Sequence, residues 1–74
     1  MNEGRRKKLG DAMKALSEAQ SIVDQVKDDE QEAFDNLPEN MQSGDKGTTM
    51  EQTIETLEEI SSNLGDAISE LENV

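Results

Sequence analysis

Apolar residues return every seven positions along two stretches of this chain, a pattern that commits both stretches to amphipathic helices that must pair. In the first stretch Leu9, Leu16, Val23, Glu30 and Leu37 are seven apart, and Ala12, Ala19, Val26 and Ala33 fall between them. One set is mostly large and the other mostly alanine, which lets a neighbouring helix approach closely. Met13, Ile22 and Phe34 widen the stripe beyond a two-stranded zipper, as in a bundle helix. Glu30 interrupts the seam and either faces solvent near the helix end or meets a polar partner. In the second stretch Met50, Leu57, Leu64 and Leu71 are seven apart, with Thr53, Ile60, Ala67 and Val74 as companions and Ile54 and Ile68 flanking.

The boundaries follow from local chemistry. The first helix is expected over about residues 3–36, with Gly10 as a weak point inside it. It should stop at Asp35-Asn36-Leu37-Pro38, because a residue before proline avoids helical dihedrals. Pro38 can open a short helical turn through Met41. Ser43-Gly44-Asp45-Lys46-Gly47 is dense in turn formers and reads as a loop. Thr48 as N-cap and Glu51 three residues on would form a capping box, starting a second helix over about residues 48–73. The expected fold is all-α: an antiparallel helical hairpin with a loop and short turn over 37–47. At 1.5 Å per residue the helices are roughly 50 and 37 Å long. Residues 1–74 make a single domain, from which residues 1–10 overhang as a basic N-terminal segment.

Such a hairpin has little to bury. Of its 74 residues 31% are hydrophobic, and Phe34 is the sole aromatic. Domains of this size usually need disulfides, metals or oligomerisation. Cysteine and histidine are both missing, which removes disulfides and the common metal ligands. Self-association into a four-helix or larger bundle remains, with a homodimer as the simplest case. No apolar run approaches the ~20 residues of a membrane span, and no apolar core follows the basic N-terminus as in a signal peptide. A cytoplasmic setting fits, since a chain without cysteine suits a reducing compartment.

Charge is unevenly placed. The net charge is −11, of which residues 1–8 contribute +3 and residues 9–74 contribute −14. A body this acidic repels nucleic acid and attracts basic protein surfaces. With no His, Cys, Tyr or Trp there is no catalytic constellation, so the chain is not expected to be an enzyme or to hold a cofactor. The run from Asp28 to Glu39 imitates a calcium loop in its acids, but Ala33 stands where the sharp turn needs glycine, so no metal site is expected.

The acids form repeated like-charged pairs four residues apart: Asp24/Asp28, Asp28/Glu32, Glu51/Glu55, Glu55/Glu59 and Asp66/Glu70. Each costs about 0.2–0.5 kcal/mol, which implies a use for an acidic surface. The candidate partner-binding residues are Asp28, Asp29, Glu32, Phe34, Asp35, Leu37, Met41, Glu55 and Glu59. Solubility alone is the plainer account of the charge, and capping the core is the plainer account of Phe34, Leu37 and Met41. The alternative site is Arg5, Arg6, Lys7 and Lys8, four cations at a helix N-terminus that disfavours them. They would either pair with Glu70, Glu72 and the C-terminal carboxylate or, with several chains together, bind a small anionic nucleotide. A plain structural or assembly module is the third reading.

The stretch Asp28-Asp29-Glu30-Gln31-Glu32-Ala33-Phe34-Asp35-Asn36-Leu37-Pro38-Glu39, followed by Gln42-Ser43, Gly47 and Met50-Glu51, resembles small acidic two-helix proteins of tailed phages and their prophages. The likeness spans about residues 5–72, with only the central run distinctive. It implies expression in a bacterial host's cytoplasm. By analogy with small phage accessory proteins, it also implies a chain that binds and inhibits a host protein, such as an anti-phage defence factor, or sequesters its nucleotide signal.

Overall fold

The computed structural model describes every residue from Met1 to Val74 and contains helices and no strand. Helix α1 spans Glu3–Asp35, a single-turn helix α2 spans Glu39–Gln42, and α3 spans Asp45–Glu72. The two long helices lie side by side. Contacts such as Gln20 with Ser61 and Leu9 with the neighbourhood of Leu71 show the chain doubling back on itself. The result is a rod of 58 × 14 × 12 Å with a radius of gyration of 17.0 Å, where a globular chain of this length would have about 11 Å. No helix is long and apolar enough to cross a membrane.

The ends of α1 are capped from within the chain. Asn2 accepts the backbone N–H of Arg5 on its Oδ1 at 2.8 Å, satisfying one of the orphan donors of the first turn. At the other end the Leu37 N–H donates to the Phe34 carbonyl at 3.0 Å. Pro38 then turns the chain, as N-cap of α2 rather than its first helical residue. The Gln42 side chain reaches back and donates to the carbonyls of both Phe34 and Leu37, each at 3.1 Å. It thereby ties α2 to the last turn of α1.

The start of α3 departs from expectation. Thr48 is not the N-cap and there is no capping box. Gly44 occupies the cap, with no side-chain hydrogen bond, and Thr48 N–H already makes an intrahelical-type bond to the Gly44 carbonyl at 3.0 Å. Asp45, Lys46 and Gly47, read above as loop, form the first turn. The reason lies in packing. Gly47 is buried, and a Cβ there would collide with the backbone carbonyl of Gln42. Its missing side chain lets α3 begin directly against the end of α2, and Asp45 in the first turn suits the helix dipole. Gly65 serves a similar approach further along, since a Cβ there would lie 3.0 Å from the Gln20 amide nitrogen.

The core is short. Gly47, Met50 and Ile54 are the buried residues, and half-buried Phe34 and Leu37 belong to the same end of the rod. Glycine at position 10 is different, because a Cβ would meet nothing within 4 Å. Gly10→Ala should therefore raise stability by about 0.5–1 kcal/mol through helix propensity alone. Thermal unfolding followed by circular dichroism would check this, and a lowered midpoint would contradict it.

Candidate protein-binding face

Burial fixes which residues of each helix meet the other. On α1 and just beyond it a line of half-buried positions runs 9, 13, 16, 20, 23, 27, 30, 34 and 37, in alternating steps of four and three, with Ala19 and Asp24 half-buried at its edges. On α3 the line runs 47, 50, 54, 57, 61, 64, 68 and 71, with Gly65 and Ala67 half-buried beside it. Leu9, Leu16, Val23, Glu30 and Leu37 lie in this seam as expected, and so do Met50, Leu57, Leu64 and Leu71. The companion sets lie beside it, and of them only Ala19 and Ala67 are half-buried. In place of Ala12, Ala19, Val26 and Ala33, the seam takes Met13, Gln20, Lys27 and Phe34. In place of Thr53, Ile60, Ala67 and Val74, it takes Gly47, Ile54, Ser61 and Ile68. A seven-residue set can be completed by the neighbours three or four positions away. The four-position choice buries Met13, Phe34, Ile54 and Ile68, which offer more apolar area than alanine and threonine.

That choice brings polar residues into the middle of the seam, two of which, Gln20 and Ser61, are hydrogen-bonded across it. Gln20 donates to the Ser61 carbonyl at 3.0 Å, and the Ser61 hydroxyl donates to Asp24 Oδ1 at 2.6 Å. A polar layer of this kind holds the register of two helices that would otherwise slide.

With the seam fixed, the rest of each helix sorts into sides. An axis normal to the plane of the helix pair relates α1 to α3, so equivalent flanking positions share one face of the rod. Residues just after the large seam positions, together with the next ones outward, form one face. Over the half nearer the connection, these positions are Asp24, Asp28, Gln31 and Asp35 on α1 and Thr48, Glu51, Glu55 and Glu58 on α3. Six of the eight are acids and none is basic, so this patch carries a concentrated negative field. All but Asp24 are exposed.

The expected binding residues divide accordingly. Asp28, Asp35 and Glu55 lie on this face. Glu32 and Glu59 point outward from the backs of α1 and α3, and Asp29 belongs to the opposite side of the rod. Phe34 and Leu37 are half-buried in the end of the seam, whereas Met41 is 39% exposed. The patch instead recruits Asp24, Glu51 and Glu58, which the residue-by-residue reading left out. The like-charged pairs Asp24/Asp28 and Glu51/Glu55 are the available signal for Asp24 and Glu51, and no such pair includes Glu58.

The basic cluster does not converge. Four consecutive helical residues fan through about 300°. Arg5 and Lys8 line an open hollow with Met1 and Leu9, while Arg6 lines a different one with Leu71, Glu72 and Val74. The chain's end thus reaches the cluster, further along α1 than an overhang of residues 1–10 would leave it. The Arg6 Nε donates to the Met1 carbonyl at 3.5 Å. One chain therefore offers no single anion pocket. The acids of the calcium-like run from Asp28 to Asp35 lie along α1, and no group of three carboxylates is placed to hold a metal ion. No known protein family, curated protein or solved structure matches this chain.

Proposed function

We propose that this chain is a non-enzymatic binding protein that engages a basic protein surface through the acidic face formed by Asp24, Asp28, Asp35, Glu51, Glu55 and Glu58. The supporting observation is a local concentration of charge: six of the chain's 18 acids share this patch, and the others are spread over the rest of the rod. Like charges at helical spacing repel, so a patch without lysine is kept at a cost to helix stability. Here two helices contribute acids to one patch with no cation among them. Complementary fields of this kind speed encounter and select partners by sign. The resemblance of residues 28–51 to small phage accessory proteins supports a bacterial host protein as that partner, inhibited by occlusion of the surface the chain covers.

The test is capture of host proteins on the immobilised chain, with Glu51, Glu55 and Glu58 reversed to lysine in one variant and Asp11, Glu18 and Asp66 reversed in another. The native chain and the second variant should retain the same basic protein. The first should lose it, and the native complex should weaken at least about tenfold between low and high salt. Equal retention by both variants would dispose of the assignment.

A further inference from the structure

The side of the rod opposite the acidic patch carries the companion residues displaced from the seam. On α1 these are Ala12, Ala19, Val26 and Ala33, with Ala15 and Ile22 beside them, and on α3 Thr53, Ile60, Ala67 and Val74. Ile22 is 62% exposed, Val26 48%, Ile60 40% and Val74 54%. We propose that this apolar face packs against the same face of a second copy of the chain, in an antiparallel dimer whose two-fold axis crosses α1 near Ala19.

Three observations select a second copy as the occupant. The first is area. The chain exposes 5483 Å², roughly 950 Å² more than the ~4,500 Å² of a globular monomer of its mass. That excess is close to the ~800 Å² each partner contributes to a standard interface.

The second is self-complementary size. Inverting α1 about Ala19 sets Ala12 against Val26 and Ala15 within one residue of Ile22, a small residue opposite each large one. Gln20 lies beside Ser61 and Gly65, so the same axis crosses α3 near Asn63 and Leu64. There it sets Ile60 against Ala67 and Thr53 against Val74. One symmetry operation therefore matches both stripes, as a closed isologous contact requires. Alanine at the crossing lets the helices approach to the short end of the usual 8–10 Å range.

The third is charge. The basic end of this face carries Arg5 and Lys8, and the inversion brings Lys8 opposite Asp29 of the second copy, with Glu32 at the rim. Exposed pairs of this kind add little stability but favour the complementary alignment. The acidic faces of both copies remain outward, so the dimer presents two identical patches.

The experiment uses single cysteines, which the native chain lacks. Sedimentation equilibrium should give twice the 8.2 kDa chain mass, with a dissociation constant of about 10 µM or tighter. Ile22→Lys, at a position exposed in the single chain, should weaken association at least tenfold while leaving helicity intact. Mild oxidation should convert Ala19→Cys to a covalent dimer, because only a residue near the axis meets its own copy within disulfide reach. Ala33→Cys, about 40 Å from its copy by helix rise, and Ser21→Cys, on the other side of α1, should stay uncross-linked. A monomer throughout, association unaffected by Ile22→Lys, or cross-linking at Ser21 or Ala33 in place of Ala19 would overturn the proposal.

Discussion

Gly47→Ala should lower the thermal midpoint by on the order of 10 °C, the opposite of the rise expected for Gly10→Ala. Both glycines lie inside helices, so alanine gains up to about 1 kcal/mol of helix propensity at each. At position 10 nothing opposes that gain. At position 47 the new methyl group would collide with the carbonyl oxygen, carbonyl carbon and Cα of Gln42, and backbone atoms cannot rotate aside as a flexible side chain can. Either α2 lifts from α3 or the first turn of α3 unwinds. Overpacking costs typically ~1–3 kcal/mol, and separating α2 also opens the close contact between Gln42 and Gly47. A net loss of about 2 kcal/mol in a domain this small shifts the midpoint by roughly 8–16 °C. The two variants must be melted at one protein concentration, because self-association makes the midpoint depend on it. Shifts of the same sign in both would show that Gly47 is not the close-packed joint described here.

Gly47 also marks where the sequence stops being legible. Its neighbours Ser43, Gly44 and Asp45 are turn formers, and Thr48 with Glu51 has the spacing of a capping box, so local chemistry alone starts the helix at Thr48. The structure starts it at Asp45, because what matters at Gly47 is a contact with Gln42, a residue in another element. Spacing within the chain cannot reveal such a contact. The heptads show the same limit. The period of seven was plain, and it located Leu9, Leu16, Val23, Met50, Leu57, Leu64 and Leu71 in the seam. It could not say whether the other half of the seam lay three or four residues away. That choice is made by total buried apolar area across both helices, which favours Met13, Phe34, Ile54 and Ile68 over Ala12, Ala33, Thr53 and Ala67. Moving the seam by one position rotates every other assignment. It carries Asp24, Glu51 and Glu58 onto the acidic face, moves Asp29 off it, and leaves Val26 and Ile60 exposed.

Ile54→Ala should produce the larger loss among the large-to-small changes, about 2–5 kcal/mol, while Ile60→Ala should cost under about 1 kcal/mol in the single chain. The two residues have the same chemistry and sit less than two turns apart on α3, so the comparison isolates position. Ile54 is buried on the face of α3 that meets α1, and Ile60 is 40% exposed on the apolar face. A chain of 74 residues has a stability of roughly 4–11 kcal/mol by the usual per-residue range, so Ile54→Ala removes a large share of the whole. In urea, with a slope of about 1 kcal/mol per molar for a protein this small, its midpoint should fall by roughly 2 M or more. The consequence reaches the binding face. Glu51, Glu55 and Glu58 bracket Ile54 on the same helix and hold their places beside Asp24 and Asp28 only while Ile54 stays docked. Ile54→Ala should therefore weaken capture of a basic partner without altering any charge, in proportion to the fraction unfolded. A lower urea midpoint for Ile60→Ala than for Ile54→Ala would show that the seam runs through Ile60 instead, and the acidic residues would then have to be regrouped around that register.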